Sequence, residues 1–143
     1  MIIPTAEPFF FPGKKISCLL VHGFTSAPKE MRWMGEYLAE QGFSVLGVRL
    51  AGHATNPEEM IRTRYIDWMH SVEDGYHLLK GIADKDVLVG ISMGGALSLL
   101  MASKLNVAGV FAMSTPYKLT DSRIKLAKYL SLFIKYMPKS DDE

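Results

Sequence analysis

Four short apolar runs constrain this chain more than anything else in it: ISCLLVH (16–22), FSVLGVRL (43–50), DVLVGI (86–91) and VAGVFAMS (107–114). Each is apolar at odd and even positions alike, so strands built from them must be covered on both faces. The stretches between them supply that cover. PKEMRWMGEYLAEQ (28–41) has Pro28 in its first turn, Met31, Met34, Tyr37 and Leu38 at helical spacing, and Gly42 as its stop. Residues 64–82 repeat the spacing with Ile66, Met69, Val72, Tyr76 and Leu79, after a polar loop that starts near Gly52. GALSLLMASKL (95–105) reads as a third helix and 121–137 as a fourth. Strands buried on both faces and alternating with helices demand an α/β fold, a mostly parallel sheet with helices on both faces. At 143 residues the chain is one domain's length, enough to bury a core.

The third run passes into its helix through GISMGG (90–95). A serine there can present its hydroxyl above the sheet edge only on a strained turn, and the residues two before and two after must be small. Gly90 and Gly94 satisfy that demand around Ser92, and Gly95 gives further room where the helix meets the sheet. The new helix points its free N–H groups and positive end toward the serine. The pattern marks Ser92 as a nucleophile.

Acyl transfer also needs two backbone N–H donors facing the oxygen that becomes negative. One is supplied by the residue after the nucleophile, here Met93. The first run ends in His22-Gly23-Phe24, and the loop after it opens at the same carboxyl rim of a parallel sheet. Phe24 is therefore the candidate second donor, with His22 and Gly23 supporting its loop.

Several stretches together resemble one family: EPFFFPG near the start, LLVHGFTSAP, GHA (52–54), IDWMHSVEDGYHLLK and GISMGGALSL. Their order and spacing, from about residue 7 to residue 117, are similar to those of the α/β-hydrolase superfamily, among its small bacterial carboxylesterases and monoacylglycerol-lipase relatives. The resemblance implies a serine ester hydrolase with Ser92 as acyl-forming nucleophile and the Phe24 and Met93 amides as its oxyanion hole. It implies an α/β-hydrolase core over residues 1–120, truncated before its last strands, and the start of a cap or lid over 121–143. No cofactor and no metal are expected.

In such enzymes an acid and then a histidine follow the serine. No histidine follows Ser92, and the later acids are Asp121, Asp141, Asp142 and Glu143. The chain reads as the front half of a hydrolase without its base. His22 braces its loop, His53 orders its own turn, and His70 and His77 sit seven apart on one helix without metal-ligand spacing. Losing the histidine alone costs about two million-fold in turnover in a serine protease. Activity therefore requires the other half, as a second polypeptide, or else the chain is an inactive remnant or an α/β protein binding a hydrophobic ligand or partner. Monoacylglycerol lipase and thioesterase chemistry remain alternatives within the hydrolase reading.

The remaining signals narrow the partners. A net charge of +1 without long runs of one sign gives no footprint for nucleic acid. No apolar run approaches the roughly 18 residues that span a bilayer. The opening MIIPTAEPFFFPGKK has no signal-peptide character, and lone Cys18 in an apolar run reads as a core thiol, so a cytoplasmic location is expected. The expected partners are an acyl ester substrate and either the C-terminal half or a second copy covering the sheet edge left by 107–114.

Overall fold

The structure, a computed structural model, describes residues 1–118. The expected helix over 121–137, and with it the cap over 121–143, lies outside the described residues. The fold class is as the sequence predicts. Strands β1 (Phe9–Phe11), β2 (Ile16–Val21), β3 (Ser44–Val48), β4 (Lys85–Ile91) and β5 (Gly109–Met113) form one sheet in the order β1-β3-β2-β4-β5. Helices α1 (Lys29–Glu40), α2 (Pro57–Arg62), α3 (Tyr65–Lys80) and α4 (Met93–Ala102) connect them. β2, β3, β4 and β5 pair in parallel, while β1 joins β3 antiparallel.

Side-chain alternation divides the core into two layers. Leu19, Val21, Leu46, Val48 and Leu88 point to one face and pack with Met69, Val72, Tyr76 and Leu79 of α3 and Leu97 and Met101 of α4. Cys18, Leu20, Val45 and Val89 point to the other, against Met31 of α1 and Phe9 of β1. Burial pushes the Cys18 thiol up to about 11, so it stays protonated as a small hydrophobe.

Local chemistry sets the boundaries. α1 stops where Gly42 takes φ +90°, and the amides of Gly42 and Phe43 bond back to the carbonyls of Ala39 and Leu38 at 2.8 and 3.2 Å. Two expected core positions differ: Tyr37 on α1 and Ile66 on α3 are 62% and 40% exposed, each lying on the edge of its helix's apolar stripe. Two elements go beyond the sequence reading. β1, held between Pro8 and Pro12, is too short for alternation to register, and its Phe9 ring fills the space above Gly47. The expected polar loop contains α2, where Asn56 caps the Glu59 amide at 2.9 Å and Pro57 starts the helix.

At the far end of the sheet, β5 contributes only half-buried and exposed residues, and Phe111 is 66% exposed. Among the described residues nothing pairs with its outer edge.

Candidate active site

The strand register brings the candidate residues to one rim. Val21 pairs with Val48 and with Gly90, and Gly90 with Ala112, so four parallel strands end nearly level. The chain then leaves the sheet at His22-Gly23-Phe24, at Arg49-Leu50, at Ser92 and at Ser114.

Ser92 sits between β4 and α4 with φ +53° and ψ −119°, a backbone conformation that favours glycine. Its amide donates to the Met113 carbonyl of β5 at 2.9 Å, and its carbonyl accepts from Gly95 and Ala96 at 3.1 and 3.2 Å. Its side chain makes no capping bond to the helix it precedes. The glycines around it are steric requirements. A Cβ at Gly90 would run into the Gly94 carbonyl, and one at Gly94 into the carbonyls of Val21 and His22. A Cβ at Gly95 would strike the Thr115 hydroxyl. The turn therefore packs against the end of β2 on one side and the chain after β5 on the other.

The loop after β2 lies beside it. A Cβ added to Gly23 would sit 3.7 Å from the Ser92 Cβ, so Gly23 and Ser92 are near neighbours. His22 is fully buried and uses both ring nitrogens: the Leu50 amide donates to Nε2 at 3.2 Å, and Nδ1 pairs with the Gly23 carbonyl at 2.8 Å. An amide can only donate and a carbonyl only accept, which places the proton on Nδ1. Burial pushes His22 down to about 4, against the opposing bond to Gly23, so the ring is neutral at pH 7. The Gly23 amide in turn donates to Glu30 Oε2 at 2.8 Å. A trans peptide is planar, with its C=O and N–H pointing opposite ways. By holding the Gly23 carbonyl, His22 thus fixes the direction of the Phe24 N–H. Neither the Phe24 nor the Met93 amide has a protein acceptor among the described residues.

Around this loop is an aromatic cluster that sequence patterning does not single out. His53 stacks edge-on against His22, Trp68 and Phe24 with ring centres 5.0, 5.3 and 6.1 Å away. The Trp68 indole N–H reaches the Ala51 carbonyl at 3.1 Å, pinning α3 to the loop after β3. His53 Nδ1 pairs with the Ala51 carbonyl at 3.2 Å, while its Nε2 is buried with no hydrogen-bond partner among the described residues. Burial lowers its pKa. His70 and His77 are exposed on α3. A cleft of about 600 Å³ lies behind the loop, lined among others by Thr25, Ser26, Glu30, His53 and Asn56, and by Ile3–Ala6 of the opening segment. Among the described residues, no group of three or more His, Cys, Asp or Glu could hold a metal ion. No helix among them is long and apolar enough to cross a membrane.

A half-buried serine turn, a buried histidine bracing the neighbouring loop and two amides without protein acceptors among the described residues lie together at this rim. Residues 18–141 match the family described as the alpha/beta hydrolase fold. The chain belongs to the α/β-hydrolase family. The thermostable monoacylglycerol lipase of Bacillus sp. (strain H-257) is 44% identical over 101 residues, 71% of this chain and 40% of the lipase. The carboxylesterase of Bacillus subtilis (strain 168) is 32% identical over 137 residues, 95% of this chain and 56% of the esterase. Among solved structures, that of the metagenome-derived lipolytic enzymes LipS and LipT superposes with a TM-score of 0.85 at 31% identity, over 88% of this chain and 52% of the other. The Paleococcus ferrophilus monoacylglycerol lipase shares the fold at a TM-score of 0.62 and 22% identity, over 89% and 51%. This α/β-hydrolase chain spans about half the length of the curated relatives it matches.

Of the residues singled out from sequence, Ser92, His22, Gly23, Gly90 and Gly94 meet at one rim, with the amides of Phe24 and Met93 on the adjoining turns. Glu30 and Trp68 are additions, while His53, read from sequence as ordering its own turn, also joins the cluster. Glu30 gave the one available signal, an acid in the first turn of α1, and that signal speaks only of helix capping.

Proposed function

We propose that this chain carries the nucleophile and oxyanion hole of a serine carboxylic-ester hydrolase acting on acyl esters, monoacylglycerols among them. The single observation that carries the reading is the left-handed backbone at Ser92, at the end of a buried parallel strand and against the Gly23 loop. Strain of this kind costs about 1–3 kcal/mol and persists where function requires it. The substrate class is supported by the relatives, which are named as a carboxylesterase and a monoacylglycerol lipase.

In this mechanism Ser92 Oγ attacks the ester carbonyl carbon and gives up its proton to a base. The tetrahedral oxyanion accepts hydrogen bonds from the Phe24 and Met93 amides, which are already oriented and need no reorganisation. Collapse expels the alcohol with the returned proton and leaves an acyl-serine, which water cleaves through the same oxyanion. His22 is not the base, because both its nitrogens are engaged. His53 has its free nitrogen sealed in an aromatic cluster, and His70 and His77 face solvent from α3. The base is supplied by the part of the hydrolase fold that these residues do not include, and that part also covers the outer edge of β5.

The test is hydrolysis of short p-nitrophenyl acyl esters by the natively purified protein, with denaturing intact-mass analysis of the same sample. Turnover that Ser92→Ala abolishes, in a sample whose intact masses include the rest of the fold on a longer chain or on a second polypeptide, is the expected result. Turnover that survives Ser92→Ala would overturn the reading.

A further inference from the structure

Glu30 stands outside every role assigned so far, yet it contacts the loop on which the proposed oxyanion hole depends. Its Oε2 accepts the Gly23 amide at 2.8 Å from the second residue of α1. A Cβ at Gly23 would lie 3.4 Å from that oxygen and 3.7 Å from the Ser92 Cβ, so Gly23 is held between the carboxylate and the serine. The other side of the same residue is also tied, its carbonyl to His22 at 2.8 Å and more loosely to the Ser26 amide at 3.4 Å. Gly23 has the widest backbone freedom of any residue type. With one peptide plane fixed by Glu30 and the next by His22, that freedom is removed, and the Phe24 N–H, which belongs to the second plane, has one direction left.

We propose that Glu30 is a positioning residue that aims the Phe24 amide at the oxyanion through Gly23; the proposal rests on the esterase reading above. Its charge is a burden in that role. A carboxylate one residue away from a developing oxyanion repels it, so an acid is useful here only as a hydrogen-bond acceptor rigidly placed on a helix. An amide side chain of the same length accepts the same bond without the charge.

Two readouts on the natively purified protein test this. The first is hydrogen exchange of the Gly23 amide, which donates to Glu30. Glu30→Ala is expected to speed it by about tenfold to a hundredfold, the worth of one hydrogen bond to a charged acceptor, while Glu30→Gln restores most of the protection. The second is Ser92-dependent ester turnover. Glu30→Ala is expected to lower kcat about tenfold at nearly constant KM, and Glu30→Gln to match or exceed the parent. Unchanged exchange in Glu30→Ala, or kcat falling equally in both variants, overturns the proposal. If the parent shows no Ser92-dependent turnover, the esterase reading fails, and exchange alone decides whether Glu30 holds the loop.

Discussion

The two rims of the sheet are built from the same four parallel strands and behave differently. At the amino rim polar groups are met by ordinary partners: the Ser17 hydroxyl donates to buried Asp86, the Ser44 hydroxyl to the Lys14 carbonyl at 3.0 Å, and Lys15 pairs with Asp84 at 3.3 Å in the open. At the carboxyl rim, a non-glycine residue with positive φ follows each strand: Thr25 after β2, Ala54 after β3, Ser92 after β4 and Ser114 after β5. Among the described residues, the same rim holds two buried neutral histidines, one with an unmatched nitrogen, and amides without protein acceptors. Strain and unmet polarity collect where the strands release the chain into connecting loops. One end of the sheet is closed by ordinary partners, and the other carries the strain and unmet polarity on which the proposed chemistry rests.

Substitutions can break this contrast, beginning with the largest effect. Ser92→Gly should lower ester turnover by about a million-fold while raising unfolding stability by about 1 kcal/mol, since glycine accepts φ +53° without strain. Turnover assays and urea unfolding on one sample read both, and a loss of stability would mean the turn is not strained. Gly94→Ala should cost about 3 kcal/mol, because its Cβ meets the fixed carbonyls of Val21 and His22. A midpoint shift in urea smaller than that of an ordinary surface change would show that the turn can relax.

Acid should expose the buried histidines. An unfolded histidine titrates near 6.5 and His22 in the fold near 4, so the unfolded chain binds the proton first. Stability from His22 is complete above about pH 6.5 and falls as the pH drops toward 4, by roughly 3 kcal/mol in all. His53 acts in the same direction. Unfolding measured across that window should steepen in the parent relative to His22→Gln, and equal slopes would remove His22 from the account. At the opposite rim Lys15→Ala should change stability by less than about 0.5 kcal/mol, as the pair is exposed on both sides. A larger loss would end the distinction between the rims.

The amino-acid pattern displays the core layers and the serine turn because both are local or periodic. ISCLLV alternates faces with no long-range information, and Gly90 and Gly94 are demanded by a turn only five residues long. The brace around Phe24 is invisible for the opposite reason. Glu30 from α1, Leu50 from the loop after β3 and the Trp68 ring from α3 reach the loop, and only the fold brings them together. β1 and α2 escape a periodic reading because three and six residues are too few to show a period, although the Asn56-Pro57 start of α2 carries its own capping signature. Tyr37 and Ile66 keep helical spacing yet face outward, since spacing defines a stripe and only the neighbouring sheet defines its width.

Covalent capture of the nucleophile tests the central claim most directly. The natively purified protein is treated with a fluorophosphonate, digested, and the adduct located by peptide mass spectrometry. The account predicts phosphonylation of Ser92, in step with loss of ester turnover. Turnover lost through an adduct on another residue, with Ser92 unmodified, would contradict it.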